Sequence, residues 1–162
     1  MRRFLATAVL LAAAVGPLAS GCASTIPNTS LEDTDWNRQV VAFMEQYRKA
    51  VESRDVGRLL SLASPEYLDD NGTPYGDDDL DYTKLREKLA AWKDRVKDVR
   101  YDIKYQRIHE EGDKILVEFR YAASFEVVDA NGKDQWAHRV GDQRMVLTYN
   151  PTTHAFHVLS GM

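Results

Sequence analysis

Cysteine is nearly absent from this 162-residue sequence: its single cysteine, Cys22, cannot form an internal disulfide. Basic residues are not in excess, because 21 lysines and arginines stand against 25 acidic residues and leave a net charge of −4. No basic cluster is present either, which argues against nucleic acid as a partner. The longest apolar run, Phe4 to Val15, is too short for the ~20 residues that a membrane-spanning helix needs.

The first 21 residues have the pattern of a secretory signal peptide. Met1-Arg2-Arg3 is basic, the apolar run follows, and small residues lead directly into Cys22. The stretch Leu18-Ala19-Ser20-Gly21-Cys22 resembles the lipobox of bacterial lipoproteins, in which a dedicated peptidase cuts before the cysteine. The match departs from the usual lipobox at one position. Ala19 stands three residues before Cys22, where leucine is commoner, and the leucine lies one residue earlier, at Leu18.

This resemblance implies a diacylglyceryl thioether and an acylated amine on Cys22, which would anchor the chain to a bacterial membrane. No aspartate follows Cys22 as a retention signal, so the resemblance implies the periplasmic face of the outer membrane, or the cell surface in a Gram-positive host. The alternative is a free or disulfide-bonded Cys22, although exported chains rarely keep a free thiol. Residues 1–21 are predicted as a signal peptide, 22–34 as a flexible tether and 35–162 as one domain.

Three helices are predicted in the part of the chain that precedes the predicted strands. Apolar residues recur at steps of three and four from Trp36 to Val51, with Asp35 as the expected N-cap. A short second helix is predicted over 56–62, ending before Pro65. A third is predicted over 82–97, capped by Asp81 or Thr83, with an apolar stripe of Leu85, Leu89, Trp92 and Val96.

From residue 99 the pattern has a period of two, which is typical of strands. Strands are predicted over 99–106, 115–127, 133–149 and 155–159, with a bulge at Gly141 in the third. Asn131-Gly132 predicts a hairpin, because both residues tolerate a positive φ. The predicted fold class is α+β: three N-terminal helices packed on a curved antiparallel sheet of about four strands.

This order of elements resembles the nuclear transport factor 2-like fold, also called SnoaL-like or cystatin-like, in which a curved sheet wraps a long helix to form a cone. The stretch Phe43 to Pro65 resembles its opening helices, and Phe156 to Gly161 its closing strand. Many members place a short hairpin where this chain has the Asp-rich loop 69–81. The resemblance implies a ligand cone and an outer sheet face that supports a homodimer. In enzymatic members it also implies a carboxylate inside the cone.

No carboxylate falls on the predicted apolar faces of the strands. Asp102, Glu118 and Glu126 alternate with the apolar residues of their strands and therefore belong to the opposite face of the sheet. We therefore expect a non-catalytic cone that needs no cofactor and binds a small hydrophobic ligand or an envelope protein. The alternative is a SnoaL-like or steroid-isomerase-like enzyme with an unrecognised site. An aromatic stripe is also typical of an ordinary core. The candidates for a ligand pocket are Tyr47, Trp92, Tyr101, Phe119, Tyr121, Trp136, His138 and Tyr149.

The histidines do not indicate a specific functional site. His138 could act as a base or ligand, or it could be a neutral histidine bonded to a neighbour in its strand. The other three lie at predicted strand ends or on a polar face, with no predicted role: His109, His154 and His157.

The Asp-rich loop is a weak calcium candidate. Asp77, Asp79 and Asp81 match the first three ligands of an EF-hand loop. The match then fails, because Tyr82 stands where glycine is needed and Lys88 where the bidentate glutamate belongs. The alternative is a solvated acidic loop at the positive end of the third helix.

Overall fold

Within the described residues, three helices and a four-stranded antiparallel sheet confirm the α+β prediction. The computed structural model describes residues 24–73, 76, 78–128 and 131–162. The long strands follow the order β3-β4-β5-β6, and two short strands pair separately. In chain order the elements are α1 (Asp35–Glu52), α2 (Val56–Leu62), β1 (Leu68–Asp69), β2 (Leu80–Asp81), α3 (Tyr82–Arg95), β3 (Val96–Glu111), β4 (Lys114–Val128), β5 (Asp134–Asn150) and β6 (Ala155–Ser160).

Helix α1 packs one apolar face against the sheet, and its buried residues recur with the predicted helical spacing. Its N-cap is Thr34 and not the predicted Asp35. The Thr34 backbone is extended, and its hydroxyl accepts the backbone N–H of Asn37 at 3.1 Å. Asp35 instead lies in the first turn, where its charge complements the helix N-terminus.

Replacing Thr34 with alanine should lower the free energy of unfolding by about 1 kcal/mol, because an N–H of the first turn loses its partner. Asp35→Ala removes only a first-turn charge and should cost about 0.5 kcal/mol. Urea denaturation of both variants measures the difference. A larger loss for Asp35→Ala than for Thr34→Ala would contradict the assignment of the cap.

A short hairpin stands between α2 and α3, where the sequence analysis predicts only a loop. Leu68 pairs with Asp81, and Asp69 with Leu80. Two-residue strands are too short to show a period, which is why the sequence pattern misses them. Asp81 also caps α3, as predicted, by accepting the backbone N–H of Lys84 at 2.8 Å. The helix ends at Arg95, two residues earlier than predicted, because β3 begins directly after it.

Strands β4 and β5 pair in one unbroken register, from Lys114 with Thr148 to Val128 with Asp134. The bulge predicted at Gly141 is wrong: Gly141 pairs directly with Tyr121. The missing side chain makes room for the tyrosine ring, since a Cβ at this position would lie 3.1 Å from it. Unbroken alternation then fixes which face of the sheet each β5 side chain occupies.

The described part of the predicted tether is folded against the domain. Thr25 and Glu32 form an antiparallel bridge, and Leu31 is buried. The Ser30 hydroxyl also donates to the carbonyl of Tyr105 at 3.2 Å. The prediction of a flexible tether over 22–34 is therefore corrected for residues 24–34, because polar composition does not reveal one buried leucine. The predicted signal peptide, 1–21, and Cys22 lie outside the described residues.

The core lies between α1 and the inner face of the sheet. Its fully buried side chains include residues of all three helices and of β4, β5 and β6. No helix within the described residues is long and apolar enough to cross a membrane. The fully buried positions include Val40, Met44, Val117, Phe119, Met145, Leu147 and Val158.

Candidate functional site

A cavity of about 180 Å³ lies between the three helices. All three helices contribute to it, together with the last residue of the chain. Among the described residues its lining is apolar except for Tyr47 and Lys88. The lining residues are Tyr47, Val51, Leu59, Leu85, Lys88, Leu89, Trp92 and Met162. We call this space the helical cavity.

Helix α3 shapes the cavity because its apolar stripe is incompletely covered. Leu85 is buried, whereas Leu89 and Trp92 are only half-buried. Lys88 is exposed and lies among these lining residues, so its ammonium group marks the open side of the cavity. A small apolar molecule could therefore cover surface that the chain itself leaves open.

Tyr47 lines the cavity, and its hydroxyl is directed at Tyr101 on the sheet. Its ring meets Tyr101 edge-on at 6.2 Å between centroids, and Tyr101 stacks on Tyr121 at 5.8 Å. Burial, and then the neighbouring Tyr101, raise the pKa of Tyr47 well above its ordinary value of 10.0. Burial likewise raises the pKa of Tyr101 to about 12. The Tyr47 hydroxyl is directed at Tyr101, and a phenol that stays neutral is not a general base at neutral pH.

These buried phenols predict a loss of stability at high pH. Burial also raises the pKa of Tyr67 and of Tyr105. The folded state keeps protons that the unfolded chain releases near pH 10, so stability is full below about pH 10 and falls as the pH rises towards about 12. Each phenol that ionises only on unfolding contributes a slope of about 1.4 kcal/mol per pH unit.

Urea denaturation at a series of pH values, with tyrosinate absorbance recorded in parallel, measures this loss. Tyr47→Phe removes one of the linked protons and should flatten the decline. Stability that stays constant to pH 12 would contradict the burial of these hydroxyl groups.

Tyr47 and Trp92 are the members of the predicted pocket set that line the helical cavity. Phe119 is completely buried and Tyr101 is 5% exposed, so both belong to the core. Tyr121 is half-buried against Tyr101. These three fill the inner face of the sheet, and their assignment to a pocket is corrected to core packing.

Trp136 and His138 lie on the outer face of the sheet, because β5 has no bulge. Trp136 is 45% exposed, and the Arg100 guanidinium lies 5.5 Å from its ring centre. His138 is exposed, with its Nδ1 2.8 Å from the Ser124 hydroxyl. The pocket prediction is wrong for both residues, while the bonded-neighbour interpretation of His138 agrees with its contact.

Tyr149 belongs to an aromatic cluster between α1 and the end of the sheet. Its ring lies 5.1 Å from Trp36 and 4.8 Å from Phe156. Phe43 extends the cluster, 5.6 Å from Phe156. Tyr149 does not line the helical cavity, so its predicted place in that pocket is also corrected.

Glu45 and Glu52 approach the core tyrosines of β3, and both are engaged by other groups. Glu45 accepts the Tyr105 hydroxyl at 2.8 Å and pairs with Arg48 at 2.7 Å. Glu52 pairs with Arg48 at 2.7 Å and accepts the backbone N–H of Tyr101 at 3.2 Å. This network ties α1 to β3. Neither carboxylate lines the helical cavity.

The calcium hypothesis is left as a prediction, because Asp77 lies outside the described residues. Asp81 uses its carboxylate as the cap of α3, and Asp79 accepts the Lys84 ammonium through its backbone carbonyl at 2.6 Å. Within the described ranges, no group of three or more histidine, cysteine, aspartate or glutamate residues could hold a metal ion.

Solved structures of similar fold are found, although no protein-family model and no curated protein sequence matches the chain. A conserved protein from Planctomyces limnophilus superposes with a TM-score of 0.62 at 10% identity, covering 78% of this chain and 97% of its own. A nuclear transport factor 2-like superfamily protein from Salmonella enterica gives 0.59 at 17% identity, covering 76% and 89%.

A third neighbour, a candidate dehydratase of the nuclear transport factor 2-like family from Streptomyces avermitilis, has a TM-score of 0.57 at 15% identity. The match covers 77% of this chain and 92% of that protein. At such identities the likeness concerns the fold alone. The neighbours therefore confirm the resemblance to the nuclear transport factor 2-like fold.

Proposed function

We propose that this chain is a lipid-anchored envelope protein whose cone-shaped domain binds a small apolar ligand without transforming it. The apolar helical cavity is the observation that carries this proposal. Its exposed polar residue, Lys88, can orient a ligand by donating hydrogen bonds. General acid–base catalysis needs a proton-transfer group with a pKa near the working pH, and burial moves the pKa of Tyr47 away from neutrality.

The size of the cavity limits the ligand. An engineered apolar cavity of about 150 Å³ in another protein binds benzene. The helical cavity, at about 180 Å³, therefore suits a molecule with one substituted ring. The Lys88 ammonium group on its open side favours a ligand whose polar or anionic end points outward.

Calorimetric titration with toluene tests this proposal. Titrations at several temperatures should show that the wild-type chain binds toluene with a negative change in heat capacity, because the ring covers apolar surface that is otherwise wet. Leu89→Trp places a larger side chain in the cavity and should abolish binding. Val140→Trp adds the same side chain at a position that is 67% exposed and should bind like the wild type. Absence of toluene binding by the wild-type chain would contradict the proposal.

The enzymatic alternative is a SnoaL-like or dehydratase-like activity. It is supported by the similarity of fold to the candidate dehydratase from Streptomyces avermitilis and by the neutral phenol of Tyr47. Turnover of a bound ring compound that disappears in Tyr47→Phe would favour this alternative. Binding without turnover favours the carrier proposed above.

The anchor and the partners are further parts of the proposal. The lipobox-like sequence ending at Cys22 supports attachment to the periplasmic face of the outer membrane. The outer face of the sheet exposes Val128, Trp136 and Val140, which supports a homodimer through this face. Sedimentation equilibrium of the full chain would test the dimer, and a monomer at all concentrations would exclude it.

A further inference from the structure

A second cavity lies on a different side of the domain. It is a groove of about 400 Å³ between α1, α2 and the start of β6, and it shares no lining residue with the helical cavity. Its apolar floor includes Phe43, Leu62 and Phe156. Its polar lining consists of Gln39, Gln46, Arg58, Ser61, His154 and His157. We call it the basic groove.

The basic groove offers hydrogen-bond donors without a balancing carboxylate in its described lining. Arg58 donates from Nη2 to the Oε1 atom of Gln46, and this leaves other guanidinium N–H groups free. Because its oxygen is occupied, Gln46 presents its amide NH₂ as a further donor. Within the described chain, the Asp55 carboxylate accepts the backbone N–H of Arg58, at 2.9 Å, and forms no ion pair with the Arg58 guanidinium.

One of the two lining histidines, His154, adds to this set of donors. His154 has a left-handed backbone, with φ at +53°, and its Nδ1 lies 2.9 Å from the Tyr149 hydroxyl. When Tyr149 donates to Nδ1, the imidazole carries its hydrogen on Nε2 and can donate from there. The Nδ1 of His157 is buried and has no partner among the described residues. This atom has no exposure to the groove, and the alternation along β6 places the His157 side chain on the sheet face opposite Phe156, so His157 is not counted among the donors.

We propose that the basic groove binds a small organic oxyanion, a carboxylate or a phosphate monoester carried on an apolar body. Arg58 recognises the oxyanion through charge-assisted hydrogen bonds, and Gln46 and His154 complete the donor set. Phe43 and Phe156 pack against the apolar body. The groove falls within the size range of small-molecule sites. The ligand of the helical cavity plays no part in this proposal.

The three tryptophans of the chain allow a direct test, because they lie in three different places. Trp36 contacts Phe156 on the groove floor at 5.5 Å, Trp92 lines the helical cavity, and Trp136 is on the outer face. Phenyl phosphate, benzoate and neutral phenol are titrated into the full chain, and the indole N–H signals are followed by NMR. The two anions should shift Trp36 saturably and leave Trp136 unchanged. Phenol should shift Trp36 far less.

Matched variants decide whether Arg58 is responsible. Arg58→Gln should weaken anion binding at least about tenfold, and Arg58→Lys should restore part of it. Arg139→Gln removes the same charge from an exposed position outside the groove and should bind like the wild type. Whichever of phenyl phosphate and benzoate binds with the lower Kd identifies the preferred head group, a phosphate or a carboxylate. The proposal is overturned if phenol binds as well as phenyl phosphate, if Arg58→Gln binds like Arg139→Gln, or if the anions shift Trp92 instead of Trp36.

Discussion

Replacement of Phe119 with alanine is expected to lower the free energy of unfolding by about 3–5 kcal/mol. Phe119 is completely buried in the middle of β4, where it pairs with Tyr105 on one side and Gln143 on the other. Removing its ring takes away apolar contacts and leaves a void that neighbouring strands cannot fill without breaking their register. Urea denaturation monitored by circular dichroism measures the loss.

Trp136→Ala is the matched control, because the sequence pattern predicts the same inward position for both residues. The structure places Trp136 on the outer face, 45% exposed, beside Arg100. Its removal should cost about 1 kcal/mol or less, the scale of an exposed cation–π contact. Equal losses for Phe119→Ala and Trp136→Ala would contradict the register of β5.

Replacement of Cys22 with serine is expected to move the protein from the membrane fraction to the soluble fraction. Serine cannot form the thioether, and each buried methylene of an acyl chain contributes about 0.8 kcal/mol to membrane binding. Fractionation after a carbonate wash measures the change, and incorporation of labelled palmitate gives an independent readout. Ala23→Ser keeps the cysteine and should stay in the membrane fraction.

Two outcomes would count against the lipid anchor. Cys22→Ser could stay in the membrane fraction after the carbonate wash, or the wild-type chain could take up no label. Neither outcome would affect the helical cavity, whose lining residues all lie between Tyr47 and Met162.

The fold was largely predictable because its elements have strong local periods. The long alternation from Ile115 to Val127 predicts β4, and the helical spacing from Trp36 to Val51 predicts α1. Asn131-Gly132 predicts the hairpin that joins β4 to β5, and Gly132 has the positive φ that such a turn favours. Each of these signals depends only on neighbours within a few residues.

The site was less predictable because it depends on contacts between distant segments. The helical cavity is lined by helices and by Met162, and no period shows that α3 leaves Leu89 and Trp92 half-covered. At Gly141 the sequence indicates a bulge, yet the glycine is there to accommodate the ring of Tyr121. That single error moved Trp136 and His138 to the wrong face.

The basic groove shows the same limit. His154 and His157 have no evident role in the sequence, because they lie almost a hundred residues from Arg58 along the chain. The fold brings them together by placing the start of β6 beside α1 and α2.

The central claim is that the helical cavity takes up a small apolar molecule. The indole N–H signals of the full chain during a toluene titration test it most directly, since they also locate the site. We expect the Trp92 signal to shift saturably while the Trp36 and Trp136 signals stay in place. A titration in which Trp92 does not move, or in which all three signals drift together without saturation, would contradict the claim.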